Sequence, residues 1–189
     1  MKLTILVVTT NAHKLHEIGA ILKHPIEGLA LNVIENGRTF EANAIKKAKA
    51  GLRMLKNRPN CCVVLADDSG LMVDCLNGRP GIKSARFATP PTPENLCNKL
   101  IRVMKNCKKR SAKFITVIAI VYPDGKVKTV KGVVRGKIIH EMRGTKGFGY
   151  DAVFMPDGYT KTFAEMSSKQ KNKLSHRSQA LNKARKLIK

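Results

Sequence analysis

The segment that decides the fold is Cys61-Cys62-Val63-Val64-Leu65-Ala66-Asp67-Asp68-Ser69-Gly70-Leu71-Met72-Val73-Asp74. The β-branched and small residues at 61–65 predict a buried strand. Asp, Ser and Gly favour turns, so we expect the strand to end in a turn that presents Asp67, Asp68 and Ser69. Neighbouring side chains of an extended strand point to opposite faces, so this turn decides which carboxylate faces a site.

Acidic residues are scarce elsewhere in the chain, which makes this segment unusual. Three of the 13 Asp and Glu residues lie in it, although the formal net charge is +23. Carboxylates kept together at the end of a buried strand favour a site for a hard cation such as Mg²⁺. A solvated turn is the alternative interpretation.

The composition is that of a soluble α/β protein. The 189 residues allow one domain, or one domain with a lobe, and are enough to bury a core. No apolar run approaches the roughly 20 residues that span a bilayer, and residues 1–9 lack a signal-peptide cleavage site. The cysteines, at positions 61, 62, 75, 97 and 107, form no C-x-x-C pair and have no zinc-like spacing with His. We therefore expect a cytoplasmic protein with reduced thiols and no membrane partner.

Basic residues are spread along the whole chain. There are 36 Lys and Arg residues, with denser stretches at 102–113 and 161–189. Such a surface attracts polyanions, including nucleotides, RNA and DNA. Aromatic residues do not alternate with the basic ones as they do on a stacking platform for single strands. We expect weak, nonspecific nucleic-acid binding at most, and a solvated basic face is the interpretation that we favour.

Hydrophobic patterning predicts a sheet with helices packed on it. Strands are expected at 3–9, 29–34, 61–65, 114–122 and 126–134. A helix should follow the first strand, and others should begin at the capping residues Thr39, Thr92 and Ser175. The turn Pro123-Asp124-Gly125 joins two strands into a hairpin, so the sheet is partly antiparallel. Two βα units followed by a hairpin indicate an α/β or α+β fold with a mixed sheet.

Two loops carry further candidate residues. Thr9-Thr10-Asn11 connects the first strand to a helix, an arrangement that points backbone N–H groups at a phosphate, and Lys14 adds a positive charge. Gly147-Phe148-Gly149-Tyr150-Asp151 combines glycines, aromatic rings and an acid, which suits a flat ligand. A plain βα connection and a loop whose aromatic residue fills the core are the alternatives.

Six motifs follow one another along the chain: Thr9-Thr10-Asn11-x-x-Lys14, Gly37-x-Thr39-Phe40 with Asn43-Ala44, Ala66-Asp67-Asp68-Ser69-Gly70-Leu71, Pro80-Gly81-x-x-Ser84-Ala85-Arg86, Gly147-Phe148-Gly149-Tyr150-Asp151 and Ser175-His176-Arg177. In this order they resemble the Ham1-type inosine triphosphate pyrophosphatases, which remove non-canonical purine nucleotides. The resemblance implies a single α/β domain over residues 1–189. It also implies an elongated, two-lobed shape, a long central mixed β-sheet flanked by helices, a nucleotide cleft between the lobes, and a homodimer.

The resemblance implies Mg²⁺-dependent hydrolysis of ITP, dITP or XTP to the monophosphate and pyrophosphate. Asp68 would activate water, and Glu35, Asp67 and Asp68 would bind Mg²⁺. Arg177, which has only donors, would bind the 6-oxo group of the base and disfavour adenine. The other implied substrate contacts are Thr9, Thr10, Asn11, Lys14 and Lys47 on the triphosphate side, Ser69 and Arg86 near the acids, and Phe148, Gly149, Tyr150, Asp151, Lys171 and His176 around the base.

The chain departs from the family pattern at four positions. Thr10 and Lys146 stand where Gly is common, Ala152 replaces a Pro, and Ala42 replaces a Glu that is displaced to Glu41. These departures leave open two other functions. One is a nucleic-acid-binding protein that uses the basic surface, and the other is a nucleotide-binding member of the family with weakened catalysis.

Overall fold

A computed structural model describes residues 4–55 and 62–188. Within that part of the chain, one sheet has the strand order β2-β1-β3-β4-β5-β6. β1 is parallel to β2 and β3, whereas β5 is antiparallel to β6, which confirms an α/β fold with a mixed sheet. The strands are β1 (Thr4–Val8), β2 (Ile26–Leu29), β3 (Cys62–Val73), β4 (Ser111–Val121), β5 (Val127–Ile138) and β6 (Phe154–Pro156). The helices are α1 (Ala12–Leu22), α2 (Phe40–Met54), α3 (Pro93–Val103), α4 (Ser168–Leu174) and α5 (His176–Arg185), with 3₁₀ helices at Asp74–Leu76 and Gly81–Arg86.

The central strand β3 is longer than predicted. It continues through Asp67, Asp68 and Ser69 to Val73, so the turn expected after Leu65 is wrong. Apolar residues on both sides of the acids are buried, and burying them in the sheet outweighs the turn preference of Asp-Ser-Gly. Because the backbone stays extended, the two acids point to opposite faces of the sheet. Both carboxylates are nevertheless buried.

The second strand lies earlier than predicted. β2 covers Ile26–Leu29 instead of 29–34, and its register pairs Ile5 with Ile26. Residues 30–37 have no regular secondary structure, and Ile34 is 78% exposed. An edge strand has one pairing partner, so the register on β1 decides its limits more than its own apolar content does.

Helix α2 begins where the sequence predicts, but a different face is buried. Thr39 caps the helix by accepting a hydrogen bond from the backbone N of Ala42 at 3.0 Å. The apolar spacing of this helix predicts that Ile45, Ala48, Leu52 and Leu55 form its buried side, and of these only Ala48 is buried. The buried residues are Asn43, Ala44, Lys47, Ala48 and Gly51. A Cβ at Gly51 would lie 2.4 Å from Val8 Cγ2, so glycine allows the helix to approach the sheet closely. This rotation turns two polar side chains, Asn43 and Lys47, into the protein.

The remaining elements follow the prediction in part. The hairpin after β4 is confirmed, since the N of Tyr122 donates to the carbonyl of Lys126 at 2.9 Å. α3 is capped by Thr92 as predicted but ends at Val103, short of residue 107. β6 and α4 were not predicted. Among the described residues, no helix is long and apolar enough to cross a membrane.

The chain forms two compact units, each with its own core. The first comprises Met1–Asp68, Thr116–Gly132 and Arg177–Lys189, and the second comprises Ser69–Ile115 and Val133–His176. The buried core of the first unit is Ile5, Val7, Ile18, Leu22, Val63, Leu65, Ile118, Ile120, Ala180, Leu181, Ala184 and Ile188. The second core is built around aromatic rings, with Phe114 and Phe154 in edge contact at 4.7 Å.

Two cysteines depart from the expectation of reduced thiols. Cys75, in the 3₁₀ helix after β3, forms a disulfide with Cys107, which follows α3. The two segments pack side by side in the second unit, which brings together cysteines separated by 32 positions. Cys62 and Cys97 are free and buried, and Cys61 lies outside the described residues.

Candidate active site

Asp67 lies among positive charges on one face of β3. Its Oδ2 accepts from Lys14 Nζ at 3.0 Å and from Arg177 Nη2 at 3.4 Å, and the Asp67 side chain is 2% exposed. Burial lowers the pKa of Lys14, and the charge of Asp67 opposes that shift. The first turn of α1 and the start of α5 thus supply two cations to one buried carboxylate.

Arg177 is anchored on its other side by Glu17. The guanidinium Nη1 donates to Glu17 Oε2 at 2.5 Å, and the Arg177 side chain is 1% exposed. We expected Arg177 to close over the base. In the structure the buried guanidinium pairs with two carboxylates of the first unit, those of Glu17 and Asp67. Its position over the base stays a prediction.

Asp68 faces helix α2 on the opposite side of the strand. Its Oδ2 accepts from Asn43 Nδ2 at 3.0 Å, and Asn43 Oδ1 accepts from the backbone N of Gly37 at 2.8 Å. Burial raises the pKa of Asp68, although Lys47 and the Asn43 hydrogen bond act to lower it. A carboxylate with a raised pKa is a better proton acceptor than an exposed one.

Lys47, one helical turn after Asn43, connects Glu35 to the two aspartates. Its Nζ lies 2.5 Å from Glu35 Oε1. Burial alone would lower the pKa of Lys47, but the charges of Asp67, Glu35 and Asp68 raise it above its ordinary value. The three acids predicted for the metal therefore all act on one ammonium group.

The donor set fits Mg²⁺ in chemistry, because carboxylate oxygens are the ligands of hard cations. In the described part of the chain, however, no group of three or more His, Cys, Asp and Glu side chains is arranged around a common metal position. Lys14 and Arg177 bind Asp67, and Lys47 binds Glu35. In this structure Asp67 and Glu35 form ion pairs with lysine and arginine side chains. Glu35, Asp67 and Asp68 remain the predicted metal ligands.

The loop before α1 is held by its own polar side chains. Asn11 caps the helix by accepting from the backbone N of Lys14 at 3.2 Å, and the N of Asn11 donates to Thr9 Oγ1 at 3.1 Å. Thr10 is exposed, and the first turn of the 11-residue helix carries no acid. The positive end of this helix can therefore receive a phosphate without a competing carboxylate from its own first turn.

A second group of predicted residues meets in the second unit. Asp151 Oδ2 accepts from Lys171 Nζ at 2.7 Å and from the backbone N of Phe148 at 2.9 Å. Lys171 Nζ also lies 4.9 Å from the centre of the Phe148 ring, a cation–π distance. Gly147 has a φ of +80°, and a Cβ there would lie 2.1 Å from Asp151 Oδ2, so this turn requires glycine. Phe148 itself is half-buried.

The other predicted base contacts have structural roles of their own. The Tyr150 hydroxyl donates to the Ser84 carbonyl at 2.8 Å, and burial raises the Tyr150 pKa. The Gly149 carbonyl accepts from Cys97 Sγ at 3.3 Å, and burial raises the pKa of Cys97 to about 12. His176 is buried and stacks on Phe114 with ring centres 4.6 Å apart, and its position over the base stays a prediction.

Ser69 and Arg86, two further predicted substrate contacts, both lie in the second unit. Ser69 is half-buried on β3, and Arg86 is exposed at the end of the second 3₁₀ helix. Sequence reasoning assigned no role to Asn43 or Glu17. The i, i+4 spacing of Asn43 and Lys47 was a usable signal for a shared helix face, whereas nothing local links Glu17 to a residue 160 positions away. The displaced Glu41 accepts from the Thr129 hydroxyl at 2.5 Å and is therefore bound to β5.

Comparisons with known proteins show the family and the fold of this chain. The sequence profile of the Ham1 family matches residues 5–187. A dITP/XTP pyrophosphatase of Clostridium perfringens is 42% identical over 190 residues, which cover 94% of this chain and 93% of the relative. A dITP/XTP pyrophosphatase of Aquifex aeolicus is 43% identical over 195 residues, which cover 95% of this chain and 93% of the relative. The solved Ham1 protein of Staphylococcus aureus has a TM-score of 0.86 and 36% identity over 98% of this chain and 97% of its own. The solved HAM1 protein of Coxiella burnetii has a TM-score of 0.85 and 33% identity over 98% of each chain.

Proposed function

This chain belongs to the Ham1 family, and on that premise we propose that it is a nucleoside triphosphate pyrophosphatase. The proposed substrates are the non-canonical purine nucleotides dITP, XTP and ITP. The relatives named dITP/XTP pyrophosphatase support this class of substrate. The observation that carries the proposal is the group formed by the buried Asp67, Asp68 and Lys47 with the half-buried Lys14, at the N-terminus of α1.

The proposed reaction breaks the bond between the α-phosphorus and the bridging oxygen, or between that oxygen and the β-phosphorus, with water as the attacking group. The products are the nucleoside monophosphate and pyrophosphate. Asp68 accepts a proton from the water, and its raised pKa suits that role. Asn43 orients the Asp68 carboxylate through the 3.0 Å hydrogen bond.

The positive groups of the first unit would bind the triphosphate. The N-terminus of α1 and Lys14 can bind phosphate oxygens and neutralise the charge that develops on the leaving pyrophosphate. We propose that Glu35, Asp67 and Asp68 hold Mg²⁺. When bound, this ion supplies Lewis-acid stabilisation of the phosphate charge.

The purine would stack on Phe148. Lys171 and the backbone of the 147–151 turn hold that ring, since Lys171 lies over it and Asp151 fixes the N of Phe148. A ring fixed in advance loses little entropy when a flat base stacks on it. We further propose that the protein is a cytoplasmic homodimer, as its resemblance to the Ham1-type enzymes implies.

The direct test is release of pyrophosphate from dITP, XTP, ITP, GTP and ATP in the presence of Mg²⁺. We expect one pyrophosphate per nucleotide, no inorganic phosphate, and a kcat/KM for the first three that exceeds the value for ATP by at least about tenfold. Release of inorganic phosphate, or equal rates for ITP and ATP, would contradict the proposal.

Nucleic-acid binding is the second candidate function, and the exposed lysines after α3 favour it. Lys105, Lys108 and Lys109 are exposed, whereas Arg110 is engaged: it donates to the carbonyls of Met104, Ile138 and Ile139. The test should therefore neutralise Lys108 and Lys109 and leave Arg110 in place.

We expect the variant with Lys108→Gln and Lys109→Gln to hydrolyse ITP normally. Any binding of the wild-type protein to duplex DNA or RNA should be weak and should fall steeply with salt, and the variant should have a smaller salt slope because two phosphate contacts are lost. Filter binding at several salt concentrations measures this. Tight binding at physiological salt, abolished in the variant, would establish nucleic acid as a partner.

A further inference from the structure

The position of Lys47 raises a question about how a metal could enter the acid group. Lys47 Nζ lies 2.5 Å from Glu35 Oε1, and its side chain is 11% exposed. Glu35 is one of the three predicted ligands of the metal, so the Lys47 ammonium occupies a carboxylate oxygen that the metal would use.

Cations already pair with the carboxylates of this group. Lys14 and Arg177 pair with Asp67, Lys47 pairs with Glu35, and Arg177 also pairs with Glu17. A divalent cation added beside these three cations brings like charges together where the dielectric constant is low, which is costly. One cation must therefore move, or its charge must be met by an arriving anion.

Lys47 is the cation that pairs with Glu35, the most exposed of the three predicted metal ligands. Arg177 is held on two sides, by Glu17 at 2.5 Å and by Asp67 at 3.4 Å, and is 1% exposed. Lys14 follows the capping residue Asn11 and pairs with Asp67 at the start of α1. Lys47 extends from α2 on a flexible four-carbon stem that can redirect its ammonium while the helix stays in place.

We propose that Lys47 and the divalent cation compete for Glu35, so that the metal displaces the Lys47 ammonium toward the triphosphate. Lys47 is thus the counter-ion of Glu35 without metal and a phosphate ligand with it. This inference rests on the proposed function, which supplies both the metal and the triphosphate. It explains how one lysine can contact an acid in this structure and still serve a polyanionic substrate.

The test measures binding of Mn²⁺ alone to the nucleotide-free protein, through the loss of the free-ion signal in electron paramagnetic resonance. Lys47→Met should bind Mn²⁺ more tightly than the wild-type protein, by about tenfold or more, because a unit positive charge has been removed from beside the ligands. Mg²⁺ affinities, measured by displacement of bound Mn²⁺, should also be higher for Lys47→Met than for the wild-type protein. The same variant should hydrolyse ITP more slowly, since a phosphate ligand is missing.

Lys46→Met is the matched control. Lys46 precedes Lys47 on the same helix and carries the same charge, but it is exposed, and its Nζ donates to the carbonyl of Ile34 and to Asn36 Oδ1, each at 2.8 Å. Its Mn²⁺ affinity should stay within about twofold of wild type, because the charge removed is exposed to solvent and screened there. If Lys47→Met fails to fold by circular dichroism, Lys47→Gln makes the same neutralisation and keeps a polar group beside Glu35.

Equal or weaker Mn²⁺ binding by the folded Lys47 variant would overturn the competition. So would an equal gain in affinity for Lys46→Met, because that result would reflect overall charge alone. Pyrophosphate release by the wild-type protein tests the proposed function separately. An active wild type whose Lys47 variants bind metal no more tightly refutes only the competition, whereas tighter binding with an inactive wild type refutes only the function.

Discussion

Asp68→Asn is expected to lower pyrophosphate release from ITP by about 10²-fold or more without loss of the fold. The Asn side chain has almost the same shape as Asp68 but cannot accept a proton from water. The substitution leaves the neighbouring Asn43 and the strand β3 in place. Steady-state kinetics with ITP and Mg²⁺, together with a thermal melt, measure both parts of the prediction.

Stability should change in the direction opposite to activity. Burial raises the folded-state pKa of Asp68 above its ordinary value, so its ionised form is disfavoured in the folded protein. The resulting cost is absent well below the ordinary pKa and is fully present above the raised one. At neutral pH the neutral Asn removes that cost, so the Tm should stay the same or rise. A fall in Tm together with activity would mean that the variant is simply misfolded.

Asp74→Asn is the control for this prediction. Asp74 directly follows β3 but is exposed, and its Oδ2 accepts from the Ser111 hydroxyl at 2.7 Å. Its neutralisation should leave turnover close to wild type. Near-normal turnover of Asp68→Asn would remove Asp68 from the role of base, and equal losses in both variants would point to a general effect of charge.

The sequence predicts best those features that depend on neighbouring residues. Thr39 and Thr92 cap α2 and α3 as expected, because a cap is a contact over three positions. The turn expected at Asp67 and Asp68 fails because the apolar residues before and after it pair in the sheet, and that pairing depends on strands far along the chain. The limits of β2 fail for the same reason.

The candidate site was likewise predicted only in part. Lys171, Phe148 and Asp151 were expected to lie near one base, and they are in contact with one another. The sequence does not predict that Arg177 pairs with Glu17, because the two residues lie 160 positions apart and a salt bridge leaves no local pattern in one sequence. The disulfide of Cys75 and Cys107 was missed because an odd number of cysteines without a secretory signal favoured reduced thiols.

Substitution of Arg177 should lower the activity toward every nucleotide without changing the preference between bases. The sequence alone suggests a contact with the 6-oxo group, in which case Arg177→Ala would lower kcat/KM for ITP far more than for ATP. In the structure the guanidinium binds Glu17 and Asp67, so its removal disturbs the acid group that acts on any triphosphate. We expect losses of at least about tenfold for ITP and ATP alike, with the ITP-to-ATP ratio within about twofold of wild type.

Loss of the buried guanidinium also affects folding. Arg177→Ala leaves the buried Asp67 and the partly buried Glu17 without this cation, and breaking a buried pair on one side costs about 3–5 kcal/mol. Arg177→Lys keeps the charge and should recover part of the stability. Combining Arg177→Met with Glu17→Gln removes the charges of the Glu17–Arg177 pair together and should be more stable than Arg177→Ala.

The comparison that decides between the two roles uses Phe148→Ala beside the Arg177 variants, with ITP and ATP each measured at the same Mg²⁺ concentration. Phe148→Ala should weaken both substrates through KM, because stacking does not distinguish the two bases. Arg177→Lys, folded and at a lowered rate, should keep the wild-type ITP-to-ATP ratio. The opposite outcome is an ITP-to-ATP ratio that falls toward one in Arg177→Lys but stays at the wild-type value in Phe148→Ala. It would show that Arg177 contacts the base, and that its contacts with Glu17 and Asp67 are broken when the nucleotide binds.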